Sequence, residues 1–164
     1  MGLPQEQQAE QQPTAQAQAQ PAPSNPPKDA SQLPPEAIEL VTKLFDFARH
    51  GHTAQLQQYI TAGIPVNLTN GKGDTLLMLA CYHGNLATVQ MLLEKGADVN
   101  CLNERGQSPI AGAVFKLNDD VVKALVEGGA DVWAGQPNAV DTARMFKREE
   151  CLRMFGVHAE EAAA

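Results

Sequence analysis

His50, His52, Cys81 and His83 are the residues of this chain whose types invite a chemical reading. Imidazole nitrogen and thiolate sulfur are common zinc ligands, and a cysteine beside a histidine can serve as a nucleophile with its base. A metal-dependent binder or an enzyme built on that group is therefore one reading of the sequence. The spacing argues against it. His50 and His83 hold equivalent positions in two successive copies of a repeated segment. Equivalent side chains on neighbouring packed helices stand about 8–10 Å apart, too far to share one zinc ion. Surface histidines beside a turn are the expectation. No nucleophile elbow, H-E-x-x-H pair or phosphate loop occurs, and Gly71-Lys72-Gly73 reads as a turn rather than a phosphate cradle. The sequence thus predicts no catalytic residue, no metal and no cofactor. Cys81, Cys101 and Cys151 are odd in number and form no C-x-x-C pair, which favours reduced thiols over a disulfide framework or a zinc ribbon.

The elements that position these residues follow from the repetition. Gly71 to Asn103 reads GKGDTLLMLACYHGNLATVQMLLEKGADVNCLN, and Glu104 to Gln136 reads ERGQSPIAGAVFKLNDDVVKALVEGGADVWAGQ. At a shift of 33 residues, Thr75, Leu77, Ala80, Val89, Leu92, Gly96 and Asp98 become Ser108, Ile110, Ala113, Val122, Leu125, Gly129 and Asp131. The same step backwards gives Thr42, Leu44, Phe47, Leu56, Gly63, Val66 and Asn67. A period of this size marks stacked repeats, none of which can bury its apolar face alone.

The pattern of G-x-T-x-L-x-x-A, a mid-repeat Gly84, the Val89, Leu92, Leu93 ridge and G-A-D-x-N from Gly96 to Asn100 resembles the ankyrin repeat. The resemblance runs from Glu36 to about Phe155 and implies an all-α solenoid, with two full repeats between amino- and carboxy-terminal capping repeats. Leu76 replaces the usual Pro, Met78 and Ala111 the usual His, Leu117 a Gly and Trp133 an Asn. These departures are expected to leave the core packing positions untouched, and Trp133 to pack at the last finger.

Thr75 and Ser108 suit helix N-caps, and Pro109 suits a first helical turn. Helices are predicted at about Leu76 to His83 and Ala87 to Lys95, with Gly84 reversing the chain between them. Pro34 and Pro35 introduce a long first helix from Glu36, an amino-terminal cap. Ala139 to Phe146 and Glu149 to Phe155 give a last pair with a polar outer face. The expected division is a disordered Gln/Pro/Ala-rich tail over 1–35, a repeat domain over 36–156 (repeats at about 36–70, 71–103, 104–136 and 137–156) and a C-terminal tail over 157–164. The first 35 residues hold nine Gln, six Ala and eight of the eleven Pro, too little apolar surface to offset the cost of ordering.

A net charge of -7 and a pI of about 5.0 disfavour nucleic acid as a partner, which asks for a basic footprint. No apolar run approaches membrane-spanning length. The sequence reads as a monomeric cytoplasmic protein, with the nucleus open if the source is eukaryotic.

What the resemblance implies for function is a concave protein-binding surface made of finger tips and the exposed face of each first helix. Carried onto this chain, those positions are Arg49 and His50; Lys72, Asp74, Tyr82 and His83; Glu104, Arg105, Gln107, Phe115 and Lys116; and Met145 and Phe146. Arg49, Lys72, Arg105 and Lys116 outnumber Asp74 and Glu104 along that row, which points to an acidic or apolar protein segment as partner. An adaptor or scaffold is the leading expectation. An escort or inhibitor masking a basic client, such as a ribosomal protein or a transcription factor, is the alternative, and it would use the acidic outer surface.

Overall fold

The computed structural model describes residues 34–157. Of the tail expected to be disordered over 1–35 and the C-terminal tail expected over 157–164, residues 1–33 and 158–164 lie outside the described residues, and Pro35 already belongs to α1. Within them are eight helices in pairs: α1 (Pro35–His50) with α2 (Thr53–Thr61), α3 (Leu76–Tyr82) with α4 (Leu86–Glu94), α5 (Pro109–Phe115) with α6 (Asp119–Glu127), and α7 (Ala139–Met145) with α8 (Glu149–Met154).

The short first helices start where a side chain takes up an orphan amide. Thr75 Oγ1 accepts from the Met78 amide at 3.1 Å and Ser108 Oγ from Ala111 at 3.2 Å. Asn138 Oδ1, which the sequence reading did not single out, does the same for Asp141 at 2.8 Å. Pro109 opens α5, where its missing donor costs nothing. Pro35 opens α1 with Glu36 in the first turn, and the carboxylate suits the positive end of the helix dipole.

The helices form two rows. α1, α3, α5 and α7 pack side by side as the inner row, and α2, α4, α6 and α8 form the outer row behind them. One apolar ladder, Leu44, Leu77, Ile110 and Val140, climbs the inner row almost wholly buried, and Leu56, Val89, Val122 and Leu152 form its outer counterpart. Burying one such leucine stabilises the fold by about 1.5–3 kcal/mol relative to leaving it in water. Small side chains let the inner helices approach: Ala80, Ala113 and Ala143 are fully buried at one register position. The first layer has no predecessor, so the larger Phe47 fits there, half-buried against the rings of His52 and Tyr59.

Polar side chains tie one repeat to the next. Asn85 Nδ2 donates to the carbonyls of Ala48 and Arg49, both at 2.8 Å, so it serves the open end of α1 in the repeat before it. Asn118 does this for Cys81 at 3.3 Å. In the last layer Arg148 takes the equivalent place and pairs with Asp119 instead. On the other edge, Asn67 Oδ1 accepts from the Asp98 amide and Asn100 Oδ1 from the Asp131 amide, each at 2.7 Å. Trp133 ends that ladder. It leaves 54% of its surface exposed, with the Arg144 guanidinium 5.9 Å from its ring centroid.

The departures from the repeat pattern do touch the core. Leu76 is fully buried, and Met78 and Ala111 are nearly so. Leu76, at the first helical position, belongs to the buried apolar cluster, which the sequence reading had left out of the packing. Leu117 keeps the backbone of the glycine it replaces, with φ of 63° against 72° at Gly84.

Candidate protein-binding face

Two copies of one finger stand over the inner helices. Asn70 Oδ1 accepts from the amides of Lys72 and Asp74 at 2.9 and 3.0 Å, and Asn103 Oδ1 accepts from those of Arg105 and Gln107 at 3.0 and 2.9 Å. Each asparagine closes a tight turn that presents a cation, Lys72 or Arg105, at the tip. The fingers are also joined: the Glu104 amide donates to the Lys72 carbonyl at 3.1 Å, and Asn103 Nδ2 donates to Asp74 Oδ1 at 2.9 Å.

Between the fingers and the inner helices runs a groove of about 760 Å³. Of the residues expected at a binding face, Arg49, Lys72, Asp74, Tyr82, His83, Arg105, Gln107, Phe115, Met145 and Phe146 line it, whereas His50, Glu104 and Lys116 do not. Tyr82, Phe115 and Phe146 leave 41%, 50% and 44% of their surfaces exposed. Phe115 and Phe146 meet edge to face at 5.4 Å. Lys116 Nζ lies 4.7 Å from the Tyr82 ring centroid, a cation–π contact that orients both. The sequence reading missed the floor, formed by Met78, Leu79, Ala111, Gly112 and Thr142. The departures at Met78 and Ala111 were the available signal, because they put apolar groups where the repeat pattern has an imidazole.

Charge around the groove is uneven. Among the described residues neither Lys72 nor Arg105 has a carboxylate within salt-bridge distance, while Arg49 pairs with Asp46 at 2.8 Å. Asp74 accepts from the asparagine of the next finger and keeps its charge, but Lys72 and Arg105 on the same side outnumber it. Along the opposite wall, His83 sits among positive groups. Burial lowers its pKa below the usual histidine value, and the charges of Arg49, Lys116 and His50 lower it further.

The chemical group read from the sequence does not assemble. Cys81 is fully buried at the core position that Ala48 and Val114 share in neighbouring layers, and burial pushes its thiol well up from the usual value. His50, His52 and His83 lie at the surface, the first two with ring centroids 6.2 Å apart. No group of three or more His, Cys, Asp or Glu among the described residues is placed to hold a metal ion. The outer acids are not all open either, since Asp119 pairs with Arg148. Among the described residues no helix is long and apolar enough to cross a membrane.

The model of the family described as ankyrin repeats (3 copies) matches residues 44–136. The chain belongs to the ankyrin repeat family. An ankyrin repeat protein of Pseudomonas aeruginosa is 51% identical over 51 residues, a stretch covering 31% of this chain and 30% of that protein. The crystal structure of the human ASB11 ankyrin repeat domain superposes with a TM-score of 0.59 at 29% identity, over 68% of this chain and 51% of that one. Less than two thirds of either relative is therefore spanned. The ankyrin fold is in general a non-enzymatic module for binding proteins. In ankyrin terms, the groove here lies between the fingers and first helices, and its aromatic row comes from the last turns of α3, α5 and α7.

Proposed function

We propose that this ankyrin protein is an adaptor or scaffold that works by binding a polypeptide in the groove between its fingers and inner helices, with no chemistry of its own. One observation carries the reading: three half-exposed aromatic rings stand in one continuous groove rimmed by cations. Exposed apolar surface gathered in a concavity is where proteins dock, and aromatic anchors supply most of the energy at such contacts. The binding unit is assigned to residues 36–156, with repeats at 36–70, 71–103, 104–136 and 137–156, acting as a monomer in the cytoplasm. Of the thirteen residues named from the sequence, the ten that line the groove are its contact set, with the groove floor added.

The test is affinity capture from lysate of the native cell, comparing wild type with a Tyr82→Ala, Phe115→Ala, Phe146→Ala triple variant of matched melting temperature. Partners held by wild type and lost by the variant support the groove. The same partners held by both would place binding elsewhere.

A further inference from the structure

The groove's walls carry more positive than negative charge, with Arg49, Lys72 and Arg105 against Asp74, and its floor carries none. Lys72 and Arg105 project from equivalent fingers on one side, each held by the asparagine two residues before it. On the other side Arg49 and His83 line the groove at the ends of α1 and α3, and Lys116, outside the lining at the end of α5, is close enough that its charge acts on His83 together with that of Arg49. Between the walls the floor steps down. Ala111 and Gly112 are small, and a methyl group added at Gly112 would stand 3.7 Å from the Tyr82 ring, so the ring lies over a residue without a side chain. Phe115 and Phe146, in contact with each other, also line the groove. The chain as a whole carries -7, so this positive concavity is a local feature set against the net charge.

We propose that the groove takes an acidic polypeptide segment bearing one bulky apolar side chain, which enters between Tyr82 and the Phe115–Phe146 pair while flanking carboxylates meet Lys72 and Arg105 on one wall and Arg49 and His83 on the other. This rests on the groove reading and adds the chemistry of the partner. Charge complementarity selects such a segment and rejects a basic one. A pH dependence follows. Burial first, and then the cations around it, disfavour protonation of His83 in the empty groove, and a bound carboxylate favours the protonated form. Binding therefore takes up a proton, and affinity rises as pH falls through the histidine range while the ligand's carboxylates stay ionised. The charged groups acting on His83 are Arg49 and His50 from α1 and Lys116 from the end of α5.

Fluorescence anisotropy with the whole chain and three labelled synthetic peptides tests this: acidic residues around a central phenylalanine, the same peptide with serine at the centre, and a basic peptide around phenylalanine. The acidic phenylalanine peptide should bind tightest and weaken as salt rises from about 50 to about 500 mM, as an electrostatic contact must. A Lys72→Glu, Arg105→Glu double variant, checked for an unchanged melting temperature, should bind it roughly tenfold or more weakly, because like charges then face each other. Affinity should rise from about pH 8 to about pH 6, and this gain should shrink in His83→Asn. Equal or tighter binding of the basic peptide, failure of all three to bind, or indifference to the double charge reversal overturns the proposal. If the basic peptide binds and the aromatic triple variant loses it, the groove is the binding site but its partner is not acidic. If no peptide binds and the triple variant also keeps its lysate partners, the groove reading fails too.

Discussion

Gly84→Ala separates the energy of a backbone conformation from that of the contact between repeats. The residue sits at φ of 72°, where any side chain costs about 1–2 kcal/mol. Its new methyl group would also lie 2.8 Å from Asn118 Oδ1 and 3.0 Å from Asn118 Cγ, well inside contact distance. Asn118 would have to swing away and release the Cys81 carbonyl, which it holds at 3.3 Å; one such bond is worth about 1 kcal/mol. The expected loss is about 2–3 kcal/mol. Gly96→Ala is the control, because Gly96 has φ of 88° but nothing within 4 Å of its missing methyl group. It should lose only the backbone share, about 1–2 kcal/mol. Urea unfolding followed by helical circular dichroism and by the fluorescence of the single tryptophan, Trp133, measures both variants, and agreement of the probes licenses a two-state treatment. Adding Asn118→Ala to each variant completes the comparison, since the second change should cost less in the Gly84→Ala background. Equal losses for the two glycine variants would refute the reasoning, because the Asn118 link would then carry no energy.

Leu92→Ala, at a fully buried outer-row position, should cost about 2–5 kcal/mol and let the Trp133 signal unfold ahead of the helical signal; a melt unchanged from wild type would contradict the packing described. Leu117→Gly should stabilise the protein by about 0.5 kcal/mol, since relief of a left-handed leucine outweighs the greater freedom of glycine in the unfolded chain, and a loss of stability would show that the leucine packs. In native protein Cys81 should resist Ellman's reagent until unfolding, because burial keeps its thiol protonated, and added zinc should leave the melting temperature unchanged. Rapid labelling of Cys81 or a zinc-raised melting temperature would revive a chemical role.

The repeat spacing carries most of the fold because each apolar ladder is written once per copy: Leu44, Leu77 and Ile110 recur at a fixed step and stack in space. N-caps were as plain, since Thr75 and Ser108 precede their helices by one residue. The last copy departs from the 33-residue step, so Asn138, the cap of its first helix, does not fall in register with Thr75 and Ser108. Polar ties between layers were out of reach for a different reason. Asn85 bonds to carbonyls more than 30 positions away, and nothing in its neighbourhood of sequence marks it. The candidate site divides the same way. Tyr82 and Phe115 share a register position that a repeat pattern exposes, whereas the commitment of Asp74 to Asn103 and the core position of Cys81 depend on neighbouring layers. The fold withdraws Cys81 from its neighbours in sequence into the core, and it ties Asp74 to the next finger while leaving it in the groove lining.

The central claim is that the groove, and no other face, holds the partner. A photo-crosslinking benzoylphenylalanine placed at Phe115, and in a second protein at exposed Gln90 on the outer row, tests this in extract of the native cell. A discrete protein adduct from position 115 that is absent from position 90 is the predicted result. Adducts from position 90 with none from position 115 would contradict the account.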